Sequence, residues 1–332
     1  MRRTGLDDAL TVSLGTARHP ESGSAGVTLA PVALFVYRRP EHTIATVEAL
    51  LGNPEAPDTD VVVFSDGARV ASDEESVGKV RSYVRTISGF RSTALVERTE
   101  NLGLAGSIID GVTRLCAERG RIVVVEDDLI VAPHFLEYMN RALDLYAHEE
   151  RVMQVSGYMF PASLDVAEDA LFLPLTTSWG WATWERSWRQ FDPTAKGRVE
   201  LAQNPDLRQR FNLHGAYDYA GMLEAQVAGR IDSWAIRWYL TVFLRAGLVL
   251  YPTQTLVHNW GSGDNATHGA VPAGWSQAGA AMDFRVKRFP TQIVSSPAFG
   301  SLREFIRQTS GGDRRGIKGK LYELLAKAKG KR

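Results

Sequence analysis

Five short apolar runs alternate with stretches of helical periodicity between residues 31 and 156. This alternation limits the fold more than any other feature. The runs are Val32–Tyr37, Asp60–Phe64, Thr93–Val96, Arg121–Val125 and Arg151–Ser156. They read as continuous apolar segments rather than as apolar–polar alternation, the pattern of strands buried on both faces. Between them the spacing predicts helices over Thr43–Leu51, Asp73–Ile87, Ser107–Arg119 and Pro133–His148. Strands and helices in this order build an α/β fold, a Rossmann-like, mostly parallel sheet flanked by helices. The chain has 332 residues, 44% hydrophobic and 23% charged, ample for one large core.

Sheets of this kind bind ligands beyond the carboxyl ends of their strands. Polar clusters sit at those ends here. The first run ends at Tyr37 and is followed by Arg38, a residue able to meet phosphate. The second runs into Ser65-Asp66-Gly67, where Asp66 is either a hydrogen-bond acceptor for a ligand or the acid of an ordinary Asp-Gly turn. The third leads to Asn101-Leu102-Gly103, whose amide lies near the same edge. The fourth gives Glu126-Asp127-Asp128, the strongest signal in the chain. Three adjacent carboxylates repel one another unless a cation or hydrogen bonds offset the repulsion. Oxygen ligands of this type suit a hard ion, Mn²⁺ or Mg²⁺, shared with substrate phosphates. A solvated acidic turn is the plainer alternative.

After residue 160 the texture changes. Tryptophans crowd into Trp179, Trp181 and Trp184, with Trp188 close behind. Such rings either stack on sugars or fill a core. The spacing predicts a long helical stretch over Val199–Gly229. Asp232 stands among hydrophobes beside Trp234 and Trp238. It is a candidate general base, because apolar company raises a carboxyl pKa; it also reads as a helix N-cap, and Asp218 competes for the base role. A Gly-rich loop over 259–269 carries His268, a candidate for a diphosphate or a metal. The last stretch, Arg314–Arg332, reads as a basic amphipathic helix with Leu321, Leu324 and Leu325 on one side.

Several classes are disfavoured. Lys+Arg and Asp+Glu are both 38, so charge gives no reason to expect nucleic acid as a partner. The single cysteine, Cys116, forms no internal disulfide or thiolate metal cage and reads as a small buried apolar group; this fits a reducing compartment. No apolar run is long enough to span a membrane. No Gly-x-Gly-x-x-Gly follows a strand, against a dinucleotide dehydrogenase. The turn Tyr37-Arg38-Arg39-Pro40 is not the Gly-rich phosphate loop expected of a nucleotidyltransferase acting on sugar phosphates.

The stretch from Ile122 to Tyr138, with Glu126-Asp127-Asp128 at its centre, resembles the strand, acidic motif and helix of the N-acetylglucosaminyltransferase I type. The span Pro31 to Gly269 is similar to bacterial family 2-like glycosyltransferases that carry a Trp-Gly-Trp-Ala-Thr-Trp segment. The resemblance implies a GT-A fold and an inverting transfer of a sugar from a nucleotide-sugar donor to a hydroxyl of a glycan or glycoconjugate. It implies Asp128 as the metal ligand. It matches Arg38, Asp66, Glu126 and Asp127 to donor-binding positions, and 265–269 to a loop that closes over the donor; Tyr37, Asn101 and His268 are further donor-binding candidates from their own places in the chain. Asp232 falls near the family's Asp-Asp-Trp base segment, with Ser233 in place of one acid. Trp181 and Trp234 are expected to face the acceptor. The expected organisation is a flexible lead-in (1–29), a nucleotide-sugar-binding half (30–160), an acceptor-binding and catalytic half (161–300) and a basic tail (301–332). Without the anchor and stem of the eukaryotic enzymes, the resemblance suggests a cytoplasmic, bacterial-type protein, with the tail a candidate for the inner membrane face. A catalytically silent carbohydrate- or nucleotide-binding protein of the same fold is the non-enzyme alternative.

Overall fold

The computed structural model of the protein describes residues 28–261, 275 and 279–310, together with the backbone of residues 12–13. The strands are β1 (Val12–Ser13), β2 (Val32–Val36), β3 (Asp60–Ser65), β4 (Ser92–Glu97), β5 (Arg121–Glu126), β6 (Leu129–Val131), β7 (Val152–Ser156), β8 (Ala170–Leu173), β9 (Trp181–Trp184), β10 (Leu248–Pro252) and β11 (Val257–Asn259). The main helices are α1 (Pro40–Leu51), α2 (Glu74–Val84), α3 (Gly103–Arg119), α4 (Phe135–Leu145), α5 (Glu185–Trp188), α6 (Arg198–Gln203), α7 (Pro205–Phe211), α8 (Tyr219–Val227) and α9 (Trp234–Leu244). A last helix, α10, covers 299–310.

Nine strands form one sheet in the order β1-β4-β3-β2-β5-β9-β7-β10-β8. Strands β4, β3, β2, β5, β7 and β10 all run the same way; β1, β9 and β8 run against them. The fold is therefore the expected α/β sheet flanked by helices. Alternate residues explain the apolar runs. Ala33, Phe35, Phe64, Ile122 and Val124 pack on one face with α3 and α9. Leu34, Val36, Val63, Val123 and Val125 pack on the other with α4. Both faces are covered, so neither register of the strand is polar.

The second half is not a separate layer. β9, β10 and β8, all past residue 160, join β7 in the same sheet. The tryptophan segment supplies β9, an antiparallel strand inserted between β5 and β7. Trp181 and Trp184 are 0% and 4% exposed. Trp184 donates its indole N–H to the Leu143 carbonyl at 3.0 Å. Trp188 stacks on Phe191 with centroids 4.6 Å apart and donates to Thr113 Oγ1 at 2.9 Å. These rings bury large apolar area where two helices meet the sheet.

Two expectations of regular structure are corrected. The long helix over Val199–Gly229 is broken into α6, α7 and α8. Asn204 caps α7, its side chain accepting from the Leu207 N–H, with Pro205 starting the helix; His214 then turns the chain in a left-handed conformation before α8. The boundary at residue 301 also falls inside structure: Leu302 and Ile306 of α10 are fully buried in the core. Arg314–Arg332 lies outside the described residues, as do the side chains of residues 1–27. Among the described residues no helix is long and apolar enough to cross a membrane. Cys116 is the buried small group expected, and burial pushes its thiol up to about 12.

Candidate active site

The carboxyl ends of β2, β3, β4 and β5 share one edge, and the predicted polar residues gather there in two groups. The first is built on the acidic turn after β5. Asp127 is 5% exposed. One of its oxygens accepts the Tyr37 N–H at 3.3 Å, and its carbonyl accepts Thr46 Oγ1 at 2.9 Å. Arg39 reaches across from the start of α1: Nη2 is 3.2 Å from Asp127 Oδ1, and Nη1 is 3.3 Å from Asp128 Oδ2. Burial raises the Asp127 carboxyl to about 7, against the pull of Arg39. Burial also lifts Glu126 well above its ordinary value, and Asp128 and Asp127 push it the same way.

A two-stranded ribbon roofs this turn. β6 leaves it, and β11 pairs antiparallel with β6, Asn259 opposite Leu129. The Trp260 N–H donates to the Asp128 carbonyl at 2.9 Å. Gly261 then passes so close that a Cβ there would run into the Asp128 carboxylate. Trp260 is 49% exposed and stacks on His42 of α1, centroids 4.7 Å apart. An open aromatic face thus borders Asp128.

The second group sits at the start of α3. Asp66 Oδ1 accepts the N–H groups of Gly67 at 3.1 Å and Leu102 at 2.9 Å; Oδ2 accepts that of Gly103 at 3.0 Å. Helix N-termini carry unpaired N–H groups, and a carboxylate satisfies them. Burial raises the Asp66 carboxyl while these amides pull it back. Asn101 Nδ2 donates to the Gly67 carbonyl at 2.8 Å. Residue 67 must be glycine, because a Cβ would sit 2.6 Å from the Glu100 backbone. Asp66 and Asn101 thus lock two strand-end loops together, with most of their hydrogen-bonding capacity used internally.

Tyr37 joins the two groups. Its N–H meets Asp127, while its hydroxyl donates to Asp73 at 2.6 Å and accepts the Arg69 N–H at 2.9 Å. Arg38 turns away from the acidic turn and pairs with Asp73 at 2.5 Å. Its neighbour Arg39 takes the central place. Sequence reading missed Arg39, and also Trp260 and His42. Arg39 follows the same strand end as Arg38, but nothing in a sequence says which of two adjacent arginines turns inward.

Asp232 lies beside the second group, its Oδ2 3.5 Å from where a Cβ on Gly103 would stand. Its side chain is 61% exposed, with Arg237 at 3.9 Å. Among the described residues no apolar pocket surrounds it: Trp234 and Trp238 are buried in the core. Ser233, not Asp232, caps α9, accepting from the Ile236 N–H. Asp218 caps α8, accepting from the Gly221 N–H at 3.1 Å. The acceptor platform expected at Trp181 and Trp234 is corrected. Both rings are core, 0% and 3% exposed, and they stack on each other, so neither presents a face to a sugar. His268 lies outside the described residues.

Asp127 and Asp128 direct oxygens at a common point that now carries positive charge from Arg39. Hard oxygen ligands converging on a cation fit a divalent ion that completes its shell with water and phosphate. Among the described residues no three His, Cys, Asp or Glu side chains stand close enough to hold an ion by themselves. The residues thus fit a shared ion.

No family model matches the sequence, and no curated protein is similar to it at a significant level. Among solved structures the chain is similar to S. aureus TarS, with 10% identity and a TM-score of 0.40, covering 70% of this chain but only 37% of that one. It is similar to the mannosyltransferase PcManGT from Pyrobaculum calidifontis, seen in complex with GDP-Man and Mn²⁺, with 13% identity, a TM-score of 0.36, and 65% and 73% of the two chains covered. A third, from Desulfovibrio desulfuricans G20, is provisionally described as a nucleotide-diphospho-sugar transferase; it shares 12% identity at a TM-score of 0.31, covering 49% and 68%.

Proposed function

We propose that the chain is a metal-dependent, inverting glycosyltransferase of the GT-A type. It moves a sugar, of hexosyl or N-acetylhexosaminyl type, from a nucleotide-sugar donor to a hydroxyl of a glycan or glycoconjugate. The observation that carries this reading is the convergence of Asp127 and Asp128 on Arg39 at the carboxyl end of β5. A nucleoside diphosphate leaving group needs focused positive charge, and this edge is where a sheet of this kind offers it.

Asp128 is the more open of the two acids, its side chain 16% exposed against 6% for Asp127, and would hold Mn²⁺ or Mg²⁺. When bound, that ion supplies charge neutralisation for the departing diphosphate. Glu126, Asp127 and Tyr37 form the floor under the donor. Asp66 and Asn101 fix the loops that border its nucleoside, and Arg38 stands at the rim. Trp260 on His42 offers a ring face beside Asp128. His268, outside the described residues, is a further donor-binding candidate. Asp232, open to solvent, takes the proton from the acceptor hydroxyl as that oxygen attacks the anomeric carbon. A cytoplasmic setting fits this reading, with Arg314–Arg332 meeting anionic lipid.

The test is release of nucleoside diphosphate from a panel of nucleotide-sugars, with Mn²⁺ and with EDTA. Metal-dependent release from one donor, accelerated by an acceptor glycan, supports the transferase. Tight nucleotide binding without release, with every acceptor offered, supports a silent binding protein instead.

A further inference from the structure

We propose that Arg39 is a resident counter-cation: a divalent ion displaces it from Asp128, and the freed guanidinium then grips the diphosphate of the ligand. The proposal rests on the metal-and-diphosphate reading of this edge.

Arg39 is rooted firmly and reaches freely. Pro40 begins α1 directly after it. The Arg39 carbonyl accepts both the N–H and the Oγ1 of Thr43, each at 2.9 Å. The backbone is therefore fixed, and only the side chain can swing. Its guanidinium does not grip one carboxylate with both nitrogens. It spans two acids, at 3.2 and 3.3 Å. A tight charge-assisted pair is shorter, about 2.7–2.9 Å. The fork is stretched between two partners, so either contact can be given up singly.

The two partners differ. Asp127 is pinned by the Tyr37 N–H and by Thr46 on its own carbonyl, and is nearly buried. Asp128 is more open and hangs from the ribbon through Trp260. The contact to Asp128 is the exchangeable one. An ion arriving from solvent meets Asp128 first and competes with Nη1 for the same oxygen. Released from that oxygen, Nη1 stays within a side chain's swing of the ion. An arginine there presents paired N–H groups to phosphate oxygens, a geometry lysine lacks. One residue thus offsets the acid pair before the ion binds and holds the diphosphate afterwards.

The test compares the wild-type chain with Arg39→Gln and Arg39→Lys. Free Mn²⁺ is followed by its electron-paramagnetic-resonance signal, without any phosphate present. Binding of inorganic pyrophosphate to the Mn²⁺-loaded proteins is then measured by calorimetry. Removing a competing charge-assisted contact should tighten Mn²⁺ alone by about ten-fold in Arg39→Gln, and weaken pyrophosphate by about ten-fold. Arg39→Lys, a point charge that meets one acid at a time, should fall between. Circular dichroism and the thermal midpoint check folding; should the Gln variant fail to fold, the Lys variant still has to bind Mn²⁺ more tightly than wild type. Equal or weaker Mn²⁺ binding in the folded variants overturns the proposal while leaving the metal site standing. No Mn²⁺ uptake by any protein, even with pyrophosphate, removes the metal reading and the proposal with it.

Discussion

Trp234 lies on Trp181 with ring centroids 5.0 Å apart and planes 24° apart. The stack ties the helix that begins beside Asp232 to β9, the strand paired with the one ending in the acidic turn. Core packing therefore places the candidate base. Trp181→Ala should cost about 3–5 kcal/mol. Trp181→Phe should cost much less, since the Trp181 indole N–H is buried without a partner among the described residues and leaves with the ring. Urea midpoints measure both. An alanine variant as stable as wild type would mean the stack is not core.

Asp232 and Asp218 separate cleanly. Asp232→Asn should leave donor binding intact and lower turnover about 10²–10⁴-fold. Asp218→Asn, which alters the cap of α8 and a contact with Asn212, should shift stability by about 1 kcal/mol or less and leave turnover unchanged. Steady-state kinetics beside calorimetric donor binding decide between them; the opposite pattern assigns the base to Asp218.

The strand-end positions were legible in the sequence because strand direction in an α/β sheet fixes where loops collect. Glu126–Asp128, Asp66 and Asn101 all lie at that edge. Roles were less legible. An Asp-Gly turn after a strand reads alike whether its carboxylate faces a ligand or, as here, the N-terminus of α3. Trp181 and Trp234 illustrate the same limit: an aromatic cluster has no period that tells a platform from a core. The β6–β11 ribbon, which brings Trp260 and Gly261 over Asp128, depends on pairing between segments far apart in sequence, so no local pattern announces it.

Buried Asp127 and half-buried Glu126 should set a pH dependence in the metal-free protein. Glu126 holds its proton above its ordinary value of 4.5, and Asp127 titrates at about 7 rather than 3.8. A folded-state pKa above the unfolded one means the native state binds more protons, so stability falls as pH rises through this window. The thermal midpoint with chelator should drop from pH 4 towards pH 8. Glu126→Gln should flatten the drop and be the more stable protein at pH 8, with little difference at pH 4. A parallel pair of curves would contradict the desolvation of this half-buried carboxyl.

Gly261→Ala tests the ribbon. Its methyl group would collide with the Asp128 carboxylate. The fold should survive by circular dichroism, while Mn²⁺-dependent nucleotide affinity should weaken about ten-fold or more by calorimetry. Unchanged affinity would show that the ribbon does not cover the ion site.

The most direct test of the account is a thermal-shift panel of nucleoside diphosphates, with and without Mn²⁺, on wild type and Asp128→Ala. One nucleotide should stabilise the wild-type chain only when Mn²⁺ is present, and Asp128→Ala should lose this stabilisation while remaining folded. Stabilisation without metal, or stabilisation retained in Asp128→Ala, would contradict a nucleotide site built on that carboxylate and a shared ion.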